Sequence, residues 1–259
     1  MGMIMSYEEY LKLGRQPNPY LVWIASKGKQ LYFLGSSHSF NPADSIHQVT
    51  KHYWHDFLGS VGNKKPVVLI EGGKRSISNS EDEAIRKFGE AGLVAFLAAQ
   101  NGWEHESPEP NLLTETSELR KEFSEEEIWT YYFTRMAAQW NRLLNKPDIW
   151  SYVRNSLLKD NEELKWNADN LGQESLVNNF AKLSGQKFVE FDYELLNGLC
   201  DPTKTKTKIN QVSRRSGQIR DEYIVQKITE HWKNGESIFA VYGRSHVVMQ
   251  EPALRRLLT

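Results

Sequence analysis

The chain holds a single cysteine, Cys200, in 259 residues. An intrachain disulfide is therefore excluded, and a lone thiol fits a reducing compartment. There is no run of about eighteen apolar residues, the length a membrane-crossing helix needs. Met1 to Leu11 has no basic stretch followed by a sustained apolar run, so no signal peptide is expected. An excess of either charge is missing too, since 33 acidic residues meet 32 basic ones and leave a net charge of −1. That balance offers no electrostatic footprint for nucleic acid or for an anionic membrane. No repeat of fixed period appears, and the only biased tract is the alternation of threonine and lysine from Thr203 to Lys208. The expectation from these absences is a soluble, cytoplasmic protein with neither nucleic acid nor membrane as partner. Its length suits one large domain or two small ones, and its 39% hydrophobic content gives ample material for a core.

What is present is organised around two similar stretches. Leu31-Tyr32-Phe33-Leu34 reads as a buried strand that breaks at Gly35 and is followed three residues later by His38. Ile238 to Tyr242 does the same before Gly243 and His246, near the other end of the chain. A third apolar run, Val67 to Ile70, ends on Glu71-Gly72-Gly73. Buried strands of one sheet that end alike are expected to bring their ends to a common edge, where open α/β sheets bind ligands. Two imidazoles and a carboxylate gathered there suit metal binding or acid/base chemistry.

Between these stretches the pattern is largely helical. Tyr7 to Leu13 predicts a short helix, and Leu21 to Ala25 with Gln30 to Leu34 a β-hairpin about Ser26-Lys27-Gly28-Lys29. Ala43 to Leu58 predicts a helix, and Gly59 to Lys65 a turn. Ser80 with Glu83 marks the start of a helix over Glu81 to about Gln100, after which Pro108-Glu109-Pro110 holds a carboxylate on a rigid segment. Ser124 opens another helix, with Trp129, Tyr132, Phe133, Met136, Trp140, Leu143 and Leu144 on one face. Aromatics at that spacing are read as core. Further helices are expected near Ile149 to Leu158, Glu174 to Leu183 and Gln218 to Lys233. A short strand is expected over Lys187 to Phe191, and an exposed loop or edge over Thr203 to Lys208. The fold class expected is α/β, a central mixed sheet flanked by helices, in one domain of 1–259 with an all-helical insertion or cap at about 111–185.

The other histidines take the plainer reading. His47, His52 and His55 share a helix but no two of them have the i, i+4 spacing of a helical zinc pair. His105 and His231 lie among polar residues and read as solvated. Arg220 precedes Ile224 and Ile228 by four and eight residues, so it is expected to point inward and to need an anion. Asp221 is read as favouring the helix N-terminus.

Gly-Ser-Ser-His at 35–38, the strand ending in Glu71-Gly72 and Gly-Arg-Ser-His at 243–246 together resemble the TraB/Tiki/erythromycin-esterase-like superfamily, which has paired Gly-x-x-His motifs and acidic residues. Arg220-Asp221 resembles its arginine-containing helix, and Glu90-Ala91-Gly92 with Glu109-Pro110 resembles the segment joining its halves. The likeness covers Leu31 to Pro110 and Gly217 to Val248. It implies a mixed sheet with one pocket holding both histidines. His38 and His246 match the motif histidines, Glu71 the strand-end acid, and Arg220 the helix arginine. Ser36-Ser37 departs from the threonine or glutamate often found before the first histidine.

The implied activity is hydrolysis of a peptide or ester bond in a peptide or small-molecule substrate. In one form His38, Glu71 and His246 bind a divalent ion (zinc, manganese or cobalt) that activates water, Arg220 meets substrate charge, and Glu109 is a further ligand or base. In a metal-free form His38 or His246 takes the proton from water, and Glu71 orients the imidazole. Two alternatives stand beside these: a non-catalytic, haem-binding-like protein on the same fold, and a protein whose histidines are structural and which acts through its helical surface.

Overall fold

Side-chain caps set where several helices begin. Ser6 accepts from the Glu9 amide while Glu9 returns to Ser6, a reciprocal capping box for α1, Tyr7–Lys12. Asp44 caps α2, Ser45–Val61. Ser80 caps α3, Glu81–Gln100, by accepting from Glu83, whose own carboxylate turns instead to the Asn79 amide. The computed structural model describes residues 4–62, 66–143 and 145–259. Leu144, and Asn63, Lys64 and Lys65 at the end of the expected turn, lie outside them. Among the described residues no helix is long and apolar enough to cross a membrane.

The chain divides into two compact units, 1–109 with 221–259 and 110–220. In the first, β1, Tyr20–Ser26, and β2, Lys29–Ser36, pair antiparallel as the expected hairpin. After α2 comes β3, Val67–Ile70, and after α3 a two-residue strand β4, His105–Glu106, too short to show periodicity in the sequence. The helical unit follows with α4, Leu112–Leu119, α5, Glu125–Asn141, α6, Ile149–Leu164, α7, Gln173–Ser184, and α8, Tyr193–Leu199. Helix α9, Lys208–Lys233, begins in that unit and from Asp221 onward belongs to the first one. Strand β5, Ile238–Gly243, and α10, Arg244–Leu258, complete the chain.

The helical unit extends to Arg220 rather than ending near 185. No strand forms over Lys187 to Phe191. Val189 and Phe191 are exposed there, and Phe188 alone turns into the helical core, so the apolar run has no sheet to join. That core collects Trp129, Phe133, Val153, Leu157 and Phe180. The aromatic stripe of α5 is thus packing, as its spacing indicated.

The sheet runs β1-β2-β5-β3-β4, with β2, β5, β3 and β4 parallel. Strand residues alternate between two faces. Phe33, Leu69, Ala240 and Tyr242 pack with Ile224, Val225 and Ile228 of α9 and with Val247 and Leu254 of α10. Leu34, Ile70, Phe239 and Val241 pack with Trp54 and Phe57 of α2 and with Val94 and Ala98 of α3 on the other side. Neighbouring strands β2 and β5 therefore lead into helices on opposite faces. That divergence opens a crevice at the carboxyl ends of the strands, the position where such sheets bind ligands.

Candidate active site

Register brings the three strand ends level. Ser36 pairs with Gly243 and Ile70 with Val241, and the Glu71 amide continues the ladder to the Val241 carbonyl at 3.1 Å. The expectation of a common edge is met, and His38, Glu71 and His246 converge there. His38 Nε2 lies 3.5 Å from one oxygen of Glu71, and His246 Nε2 lies 3.7 Å from the other. These are charge contacts rather than hydrogen bonds.

Each imidazole is backed on its second nitrogen by a buried acid. His246 Nδ1 is 2.7 Å from Asp221 Oδ1, which also accepts from Gln250 Nε2 at 2.7 Å. His38 Nδ1 is 3.8 Å from Glu90 Oε2. Glu90, Asp221 and Gln250 are almost wholly enclosed. Acid and imidazole thus alternate across the sheet edge in the order Glu90, His38, Glu71, His246, Asp221.

Backbone conformation maintains the row. His38 is one of the non-glycine residues with positive φ, at 59°, a costly conformation that persists only where neighbours impose it. Here the Ser36 hydroxyl meets the His38 amide at 3.4 Å, and the next amide, that of Ser39, donates to Glu90 Oε1 at 2.9 Å. The motif glycines keep space that a side chain would crowd. A Cβ on Gly35 would sit 2.9 Å from the Arg244 Cα, and one on Gly243 would sit 3.0 Å from His38 Nε2 and 3.4 Å from Glu71 Oε2. The Gly243 amide donates to that same Glu71 oxygen at 2.6 Å.

Glu71 is presented by a loop pinned from β4 and the residues after it. His105, Ser107 and Glu109, at every second position, accept from the amides of Arg75, Gly73 and Gly72 at 3.1, 2.8 and 2.9 Å. Glu109 therefore supports the loop that carries Glu71. His105 is buried, not solvated, and burial keeps its ring below the ordinary imidazole range, which suits the neutral acceptor it is here. His231 is also more enclosed than its sequence suggested, with Nδ1 2.8 Å from Glu236. His47 is buried and its ring makes no hydrogen bond among the described residues, and His52 is exposed beside Asp56 at 3.5 Å.

Electrostatics favour the charged form of His38. The Glu90 side chain beside His38 raises its pKa above the ordinary 6.5, against burial and with help from Glu71. For Glu90, burial pushes upward, but His38 and the Ser39 amide outweigh it and hold the carboxyl below the usual range. His38 is thus biased toward imidazolium.

Arg220 is the last residue of the helical unit, where its charge acts against that of Arg135. The inward acid of that helix is its neighbour. Helix α9 starts at Lys208, so Asp221 lies in mid-helix, fully buried, and does not serve the helix N-terminus. Its signal was the spacing to Ile224, Val225 and Ile228, the i+3, i+4 and i+7 positions of a buried stripe. The signal for Glu90 was Gly89, which interrupts α3 with φ 59°.

His38, Glu71 and His246 line a cavity of about 230 Å³ together with Tyr10, Ser36, Ser37, Gly243, Arg244 and Ser245. Among the described residues, no group of three or more His, Cys, Asp or Glu side chains is arranged to hold a metal ion. Compared with known proteins, the chain matches no family model, no curated protein and no solved structure.

Proposed function

We propose that the protein is a hydrolase that cleaves an ester or peptide bond with water activated at His246. The observation that carries this reading is the pairing of His246 with buried Asp221 while Nε2 of the same ring lies toward Glu71 and His38. Asp221 fixes the tautomer with the proton on Nδ1, so Nε2 takes the proton from water as it attacks the scissile carbonyl. The imidazolium then formed is stabilised by Asp221. His38, favoured in its charged form by Glu90, stabilises the developing oxyanion or returns a proton to the leaving group. Water adds to the carbonyl carbon, the ester or amide bond breaks, and an acid and an alcohol or amine leave.

A divalent ion held by His38, Glu71 and His246 is the second reading, and the acids behind both rings favour it, because ligand histidines are commonly backed in that way. Among the described residues these donors do not stand as a group that could hold a metal ion. The resemblance to the TraB/Tiki/erythromycin-esterase-like superfamily agrees with either hydrolytic reading and rests on the motifs alone.

The test is a screen of ester and peptide substrates with wild type, His38→Ala and His246→Ala, beside elemental analysis of each. Hydrolysis lost in both variants, with fold retained, supports the reading. Hydrolysis unaffected by either substitution overturns it. Near-stoichiometric zinc, manganese or cobalt in wild type that is lost in the variants selects the metal form, and a Soret band abolished by them selects haem binding instead.

A further inference from the structure

We infer that Arg244 makes the cavity beside the two imidazoles an anion subsite, so that the substrate carries a carboxylate or a phosphate close to its scissile bond. The word substrate rests on the hydrolase reading; anion binding does not.

Arg244 lines both the cavity of about 230 Å³ that holds the imidazoles and an adjoining one of about 190 Å³. Its hydrogen-bond partner is the neutral carbonyl of Gln16, at 3.3 Å, and among the described residues no carboxylate lies within ion-pair distance of it. A guanidinium has five donors, so most of its capacity and all of its charge stay available on the cavity wall. Such a group is suited to planar, bidentate recognition of carboxylate or phosphate.

The rest of the wall suits the same ligand. Tyr10, Ser36, Ser37 and Ser245, all hydroxyl-bearing residues, line it, and Ser36 is almost wholly enclosed. Ser37 Oγ accepts from Asn18, which leaves its proton to donate elsewhere. Arg244 also opens α10, whose cap, Gly243, provides no side chain to the first-turn amides. The positive end of a 15-residue helix therefore adds to the guanidinium charge. Glu71 does not consume that charge, since its oxygens face the two imidazoles and the Gly243 amide. The volume falls below that of drug-sized sites and suits one acidic group with the neighbouring carbonyl.

Calorimetric titration of wild type, Arg244→Lys and Arg244→Ala with glutarate, inorganic phosphate and neutral dimethyl glutarate tests the subsite. At least one anion is expected to bind wild type, with affinity about 10- to 100-fold weaker in Arg244→Ala and intermediate in Arg244→Lys, as loss of a charge-assisted pair requires. Which anion responds distinguishes carboxylate from phosphate. Matching near-UV circular dichroism guards against misfolding. Equal binding by wild type and Arg244→Ala, or no binding of either anion, overturns the subsite. For turnover, Arg244→Ala should lower kcat/KM for monomethyl glutarate more than for the dimethyl ester. Anion binding without hydrolysis of any ester or peptide would sink the hydrolase reading and leave the subsite standing.

Discussion

Asp221 Oδ1 lies 2.7 Å from His246 Nδ1, joining the middle of a 26-residue helix to the first turn of the last one. Asp221 is fully buried, and Gln250, also buried, donates to the same oxygen. Replacing Asp221 with asparagine is expected to keep the packing and lose the tautomer control, lowering kcat by about 10- to 1,000-fold. Replacement with alanine should in addition cost about 1–3 kcal/mol of stability, since His246 and Gln250 lose their acceptor. Comparing the two variants by steady-state kinetics and urea unfolding checks both. An asparagine variant with full kcat would remove Asp221 from the mechanism.

The proton affinity of His38 is raised. The His38 ring should titrate by NMR above 6.5, and Glu90→Gln should lower that value, because the acid beside it is its main support. A pKa raised in the folded state adds stability that is complete below 6.5 and is lost as pH climbs through the folded value. Glu90, held below its ordinary 4.5, adds stability above that pH and loses it as pH falls through its lowered value. The stability difference between wild type and Glu90→Gln should therefore be largest between about pH 4.5 and 6.5 and shrink on either side. A difference that stays flat with pH would contradict the pairing.

Gly243 has ordinary negative φ, −58°, so alanine would meet no backbone strain there. The obstacle is His38 Nε2, 3.0 Å from where the methyl carbon would sit. Gly243→Ala is expected to displace the ring, reduce turnover more than tenfold and cost about 1–3 kcal/mol by overpacking. Full activity in this variant would mean that the His38 ring can move aside without consequence.

Glu109 acts through the loop that carries Glu71. Glu109→Gln keeps an acceptor for the Gly72 amide, whereas Glu109→Ala removes it and should cost about 1 kcal/mol. Hydrogen exchange at Gly72 should quicken in the alanine variant and change little in the glutamine one. If Glu109 were instead a proton-transferring base, glutamine would abolish turnover, which separates the two roles.

The candidate site was half legible in the sequence. Strand-glycine-histidine is a local pattern, because an apolar run, a residue without Cβ and an imidazole are all readable from their neighbours. Glu71 was legible for the same reason. Glu90 and Asp221 were not singled out as site residues, since each is one acid in a helix among many and only its packing makes it special. For Asp221 the error was one of boundary. A helix started at Gln218 makes the acid a charge for the N-terminus, while a helix from Lys208 makes it a buried group facing His246.

By itself the sequence determined the alternation of apolar strands with amphipathic helices, and hence a mixed sheet with helices on its faces and a helical stretch between its halves. Those features follow from the periods of 2 and 3.6, which depend on adjacent residues alone. Tertiary structure decided that β5 enters the sheet between β2 and β3, so that Gly243 and Ser36 stand level. It also decided which acids lie behind the two imidazoles, and that Glu109 accepts from a backbone amide. Each of these depends on contacts between residues distant in the chain, whose pairing is set by the burial of complementary faces; local spacing can mark a residue as buried but not name its partner.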